Sequence, residues 1–119
     1  LQIGRSVGEE IISFISENQK KANIGNRDCS GLYQGQNITI NSNFTLTASS
    51  SCSTSNGAQD TITISNLSNI TTGSITFKPL AGGAVVSTDP LNISYTTTSG
   101  TTFAIQVTSS GTIEYKGIQ

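Results

Sequence analysis

Apolar positions along this chain follow two different periods, and the change falls near residue 25. From Leu1 to Ala22 they recur at helical spacing. At 100° per residue Leu1, Ile3, Val7, Ile11, Ile12, Phe14, Ile15 and Ala22 fall within one half-circle, while Arg5, Glu9, Glu10, Glu17 and Lys20 fall in or beside the other. Asn23, Gly25 and Asn26 supply a stop, because glycine and asparagine accept the left-handed conformation at a helix C-terminus. Ser6-Val-Gly-Glu9 fits a capping box that would start the helix at Ser6. Leu1 and Ile3 extend the apolar face upstream, so a continuous helix from the first residue is preferred. Gly4 and Gly8 sit four apart within the apolar half. Each costs nearly 1 kcal/mol relative to alanine in a helix, which close approach of a neighbour would offset, although plain tolerance is the commoner explanation.

Beyond residue 28 the period becomes two. Expected strands are Ile38–Ile40, Phe44–Thr47, Thr61–Ser65, Ser74–Lys78, Ala84–Ser87, Leu91–Thr97, Thr102–Thr108 and Thr112–Lys116. Alternation of Ile, Phe and Val with Thr and Ser gives each strand one buried and one wet face, as in an antiparallel sheet. Asn56-Gly57, Thr72-Gly73, Gly82-Gly83, Ser99-Gly100 and Ser110-Gly111 read as turns. Residues 48–59 have no periodicity and read as an exposed loop. The expected fold is therefore α+β: one long N-terminal amphipathic helix packed on a single antiparallel β-sheet head. Residues 1–28 form the helix and its exit and residues 29–119 the head, together making one domain. Half a cylinder of apolar helix surface exceeds what one sheet covers, so part of the stripe of Leu1, Ile3, Val7, Ile11, Ile12, Phe14 and Ile15 is expected to meet another subunit.

Composition narrows the chemistry. Charged residues make up 11% of the 119 residues, and eight of the thirteen lie within residues 1–28. A net charge of −1 gives no global attraction to nucleic acid or anionic lipid. With no histidine, no nucleophile–base pair at recognisable spacing and no acidic calcium loop, no catalytic residue, metal ligand or cofactor is assigned. Cys29 and Cys52, the only cysteines, lie in polar segments. A disulfide formed in an oxidising compartment is expected, contributing roughly 3 kcal/mol in the chain-entropy model. Lys20, Lys21 and Arg27 form the one basic cluster and are weak candidates for DNA contact; a solvated helix end explains them adequately. Asn37, Asn43, Asn66, Asn69 and Asn92 head Asn-x-Ser/Thr sequons, which a chain rich in these residues generates by chance.

Three stretches in the second half carry a resemblance. Ile75-Thr-Phe77-Lys-Pro79-Leu-Ala-Gly82 has the form I-x-F-x-P-x-x-G. Leu91-Asn-Ile-Ser-Tyr95 follows, and Ile105-Gln-Val107-Thr-Ser-Ser-Gly111-Thr-Ile113 has the form I-x-V-x-x-x-G-x-I. With the N-terminal helix, this pattern resembles the type IV pilins and type II secretion pseudopilins, most of all pseudopilin H and the FimT-like minor pilins. The resemblance spans most of residues 1–28 and 74–115 and is weak between them. It implies a non-enzymatic filament subunit, with other pilin or pseudopilin subunits and the membrane-embedded assembly machinery as partners. It also implies a precursor anchored in the cytoplasmic membrane by a hydrophobic segment upstream of Leu1, and display on the cell surface or in an extracellular filament. Some FimT-like minor pilins capture DNA through a basic C-terminal region. Here the tail Glu114-Tyr-Lys-Gly-Ile-Gln119 sets one lysine against one glutamate, which departs from that pattern. The rival expectation from another class is a free-standing surface adhesin or carbohydrate-binding β domain.

Overall fold

The computed structural model describes residues 2–23, 32–54, 59–79 and 82–119. One helix, α1 (Gln2–Asn23), precedes nine strands. They are β1 (Tyr33–Ile40), β2 (Thr45–Cys52), β3 (Gln59–Thr63), β4 (Leu67–Ile70), β5 (Gly73–Phe77), β6 (Ala84–Val86), β7 (Leu91–Thr97), β8 (Thr102–Val107) and β9 (Ile113–Ile118). The helix runs through Ser6, so the capping-box start is not used. Its first turn carries no acidic residue, while Lys20 and Lys21 occupy the last turn, where cations favour the macrodipole.

The strands form two antiparallel sheets, not one. The first has the order β3-β2-β1-β5-β6 and the second β4-β7-β8-β9. This overturns the expected α+β arrangement of a long pilin-type helix on a single sheet head: the fold is mostly β, with one short helix lying against both sheets. The physical reason is that alternation gives a strand two faces but does not name its neighbours, and three stretches also hide strands by their composition. Tyr33–Asn37 and Ala48–Cys52 are rich in Gln, Gly and Ser, yet they pair, Asn37 opposite Ser49 and Gln36 opposite Ser50, with one register shift between Tyr33 and Gly35. Leu67–Ile70 alternates poorly, yet it joins the second sheet against β7. Between β3 and β4 the chain changes sheets at Asn66, whose φ of 66° is a left-handed turn conformation that asparagine tolerates.

A single core joins the layers. Ile38, Leu46, Ile75 and Phe77 enter it from the first sheet, Ile93, Tyr95, Ile105 and Val107 from the second, and Val7, Ile11 and Ile15 from the helix. The N-terminal half of α1 lies on the second sheet at closest range. A Cβ at Gly4 would overlap Cε1 and Cζ of Phe103 and sit 2.8 Å from its Cδ1, and one at Gly8 would sit 2.5 Å from Tyr95 Oη. The two glycines therefore serve close approach to a sheet of the same chain. Tyr95 stacks on Phe103, with ring centroids 5.5 Å apart, and its hydroxyl donates to Gly4 O at 2.8 Å. Burial, with a smaller contribution from the adjacent Tyr115 phenol, pushes the Tyr95 pKa well above that of free tyrosine.

The C-terminal half of α1 meets the first sheet through polar groups. Asn18, buried amid the apolar stripe, donates to Phe14 O at 2.8 Å and accepts from Gln36 Nε2 at 3.0 Å. Gln36 Oε1 accepts from Tyr33 Oη at 2.8 Å and Ser50 Oγ at 3.3 Å. Gln19 Nε2 donates to Gly111 O at 2.6 Å, which ties the β8–β9 turn to the helix.

Candidate functional site

The residues expected to divide between core and subunit contact separate sharply. Val7, Ile11, Phe14 and Ile15 are buried in the core, and Ile12 is half-buried. Ile3 is 49% exposed, and Leu1 lies outside the described residues. The expected apolar surplus is thus smaller than half a cylinder implies, because two sheets consume the stripe. What remains is concentrated in the first turn of α1.

Two depressions flank that end of the helix. A groove of about 320 Å³ is lined by Ile3, Ser6, Val7, Glu10, Ser65 and Asn66. On the other side a hollow of about 200 Å³ lies among Arg5, Glu9, Ile12 and Tyr115. Apolar side chains, Ile3 and Val7 in the first and Ile12 and Tyr115 in the second, share each depression with a glutamate. Among the described residues no three His, Cys, Asp or Glu side chains come together as a metal-binding group. No helix among them is long and apolar enough to cross a membrane.

The basic cluster is only partly described. Lys20 is exposed. Lys21 is held at 3.3 Å by Asp60 of β3, and Arg27 lies outside the described residues. In the C-terminal tail Lys116 pairs with Glu114 at 3.1 Å.

Cys52 ends β2 with its side chain buried and is disulfide-bonded. Cys29, the other cysteine of the chain, lies outside the described residues. The segment expected to be a loop around Cys52 is strand through residue 52, with Ala48, Ser50 and Cys52 facing inward. Residues 55–58 lie outside the described residues.

Sequence reasoning did not single out Asn18, Gln36 or Tyr95 as organisers of the helix–sheet contact. Asn18 had a detectable signal, since it sits within the apolar half of the wheel between Val7 and Ile11. Tyr95 differed from the other apolar positions of β7 only in its hydroxyl.

Comparison of the chain with protein-family models, curated proteins and solved structures gives no match. The pilin resemblance accordingly rests on its own short motifs. In the structure Ile75 and Phe77 are buried positions of β5, and Ile105 and Val107 are buried positions of β8.

Proposed function

We propose that this chain is a non-enzymatic structural subunit of a pilin-like filament, a minor pilin or pseudopilin of a type IV pilus or a type II secretion-like system. On this reading its precursor is anchored in the cytoplasmic membrane, and the two-sheet head is displayed outside. The observation that carries the proposal is Ile3: the apolar stripe of α1 continues, half-exposed, past the part that the sheets cover. A groove bordered by Ser65 and Asn66 runs beside it. Such a surface favours packing of another subunit or of upstream helix against the first turns. The three motif stretches add to this support, whereas fold class does not.

Expression of the full-length precursor with its prepilin peptidase tests the proposal. Leader cleavage and recovery of the chain in sheared filaments are expected, and Ile3→Asp is expected to lower incorporation while leaving the melting of the 1–119 chain, helix and sheets together, unchanged. If no leader is cleaved and nothing enters filaments, the proposal fails.

A free-standing adhesin is the second reading, favoured by the outward face of the first sheet. There Thr61, Thr47, Thr39 and Ser74 lie in one row across four strands, without a charge among them. A conventional signal peptide upstream would select the adhesin. DNA capture has less support, since Lys21 and Lys116 are each paired with a carboxylate.

A further inference from the structure

The two sheets present four edge strands, β3 and β6 in the first and β4 and β9 in the second. An edge strand exposes a row of unpaired backbone donors and acceptors, and proteins blunt such edges with short strands, bulges, prolines or lysines. Three of these four edges carry such a device. β6 has only three residues. The pairing of β4 slips between Leu67 and Asn69. The pairing of β9 slips opposite Ala104/Ile105, and the strand bears Lys116 and a Gly117 with φ of 77°. β3 carries none of these four devices, and its single charged side chain, Asp60, is paired with Lys21 at 3.3 Å. Its five residues, Gln59-Asp-Thr-Ile-Thr63, contain no proline or lysine and pair with β2 without a register shift.

The hydrogen-bond parity of β3 follows from its end. Ile64 N donates to Phe44 O at 2.8 Å. In an antiparallel ladder alternate residues face the partner, so Ile62 and Asp60 also face β2, while Gln59, Thr61 and Thr63 turn N–H and C=O toward the open side. Four of the five residues are exposed and Ile62 is half-buried.

We propose that β3 is the pairing edge for a second copy of this chain, antiparallel about a two-fold axis at Ile62. This register is self-complementary on every count. Thr61 meets the partner copy's Thr63 as a hydrogen-bonded pair, and the same bonds recur across the axis. Ile62 falls opposite its own symmetry mate at a non-hydrogen-bonded position, where side chains approach most closely, and this covers the one apolar side chain left half-open. On the wet face the Thr61–Thr47–Thr39 row continues into the partner copy. Asp60 lies opposite Ile64, well separated from its own mate. Centring on Thr61 instead would bring the two Asp60 carboxylates to diagonal positions on one face. The first sheet then runs unbroken through both copies. This proposal does not rest on the filament reading, because the 1–119 chain is sufficient for it.

Sedimentation and amide hydrogen exchange of the wild-type 1–119 chain, helix and two-sheet head together, each across a range of concentrations, test it. A monomer–dimer equilibrium is expected, with Thr61 and Thr63 amides gaining about tenfold or more protection as the dimer forms. Ile62 and Ile64 amides should be protected at every concentration. Thr61→Pro removes only an outward N–H and is expected to abolish dimerisation, whereas Thr61→Val should preserve it. Ile62→Cys should cross-link to itself on mild oxidation. A chain that stays monomeric, or that dimerises with Thr61 and Thr63 unprotected, overturns the proposal. So does a chain whose Thr61 and Thr63 become protected only when an extended peptide is added, an outcome that would give the edge to a different partner.

Discussion

Gly4→Ala offers the most direct test of how the helix seats on the second sheet. In a helix exposed at this position, alanine for glycine gains about 1 kcal/mol. Here the added methyl would occupy the space of Phe103 Cε1 and Cζ and lie 2.8 Å from Cδ1, whereas carbon atoms settle near 3.5–4.0 Å. Relief requires either the ring or the helix to move by more than 1 Å, on the order of the misfit itself. The ring is buried and stacked on Tyr95, which is anchored in turn by its hydrogen bond to Gly4 O. Overpacking of this kind costs about 1–3 kcal/mol, and the hydrogen bond loses alignment at a further cost of about 1 kcal/mol. Set against the propensity gain, the net expectation is a loss of about 1–3 kcal/mol. For a domain of this size that lowers Tm by roughly 3–10 °C. Urea denaturation of the wild type, Gly4→Ala, Phe103→Leu and the double variant measures both the loss and its origin. The double variant should recover at least about 1 kcal/mol relative to additivity, because the smaller side chain makes room for the methyl. A Gly4→Ala protein more stable than wild type would refute the close seating and return the glycine to plain tolerance.

Other outcomes follow from the same contacts. Tyr95→Phe should cost about 1 kcal/mol in urea denaturation, the worth of one buried hydrogen bond. Because burial raises the Tyr33 and Tyr95 pKa values in the folded state, unfolded chains release these protons first. Stability is therefore full below about pH 10 and falls as pH rises beyond it; a pH series of denaturant midpoints checks the sign, and a flat alkaline limb would contradict it. Asn18→Ala leaves Gln36 Nε2 buried without its partner and should destabilise by about 1–3 kcal/mol, whereas Ser13→Ala on the exposed face should gain a few tenths to about 0.5 kcal/mol. Reduction of the Cys52 disulfide should cost about 3 kcal/mol, read as a shift in urea midpoint on adding dithiothreitol.

Much of the secondary structure is legible because binary patterning is strong where Ile, Val and Phe alternate with Thr. Leu91–Thr97 appears with its expected bounds, β6 and β8 end one residue early, and β5 is shifted by one residue at both ends. Ala48–Cys52 was hidden because its inward positions, Ala48, Ser50 and Cys52, are small or polar, and the first two are set opposite Ile38 and Gln36 of β1. The number of sheets was hidden for a different reason. Alternation says that a strand has two faces but not which strand lies beside it, and the crossing at Asn66 is a backbone event with little local signature. The helix was legible to within a residue or two. Its destination was not, because a half-cylinder of apolar positions is the same whether one sheet or two lie beneath it. At the candidate contact surface, the wheel placed Ile3 and Val7 on one face, but only the packing separates exposed Ile3 from buried Val7.

The contact between Gly4 and Tyr95 spans 91 positions of chain. Helix α1 leaves the ribosome ahead of the strands it packs on, and its seat on the second sheet waits for β7, β8 and β9. Until then the Val7–Ile11–Phe14–Ile15 stripe has only β1 and β5 of the first sheet to cover it. Folds dominated by such distant pairings close slowly, in milliseconds to seconds, so the nascent chain carries a partly uncovered helix until those strands have emerged and closed. Cover is complete only once the β8–β9 hairpin arrives, and the timing of that hairpin, more than helix formation, sets the moment at which the stripe stops being sticky.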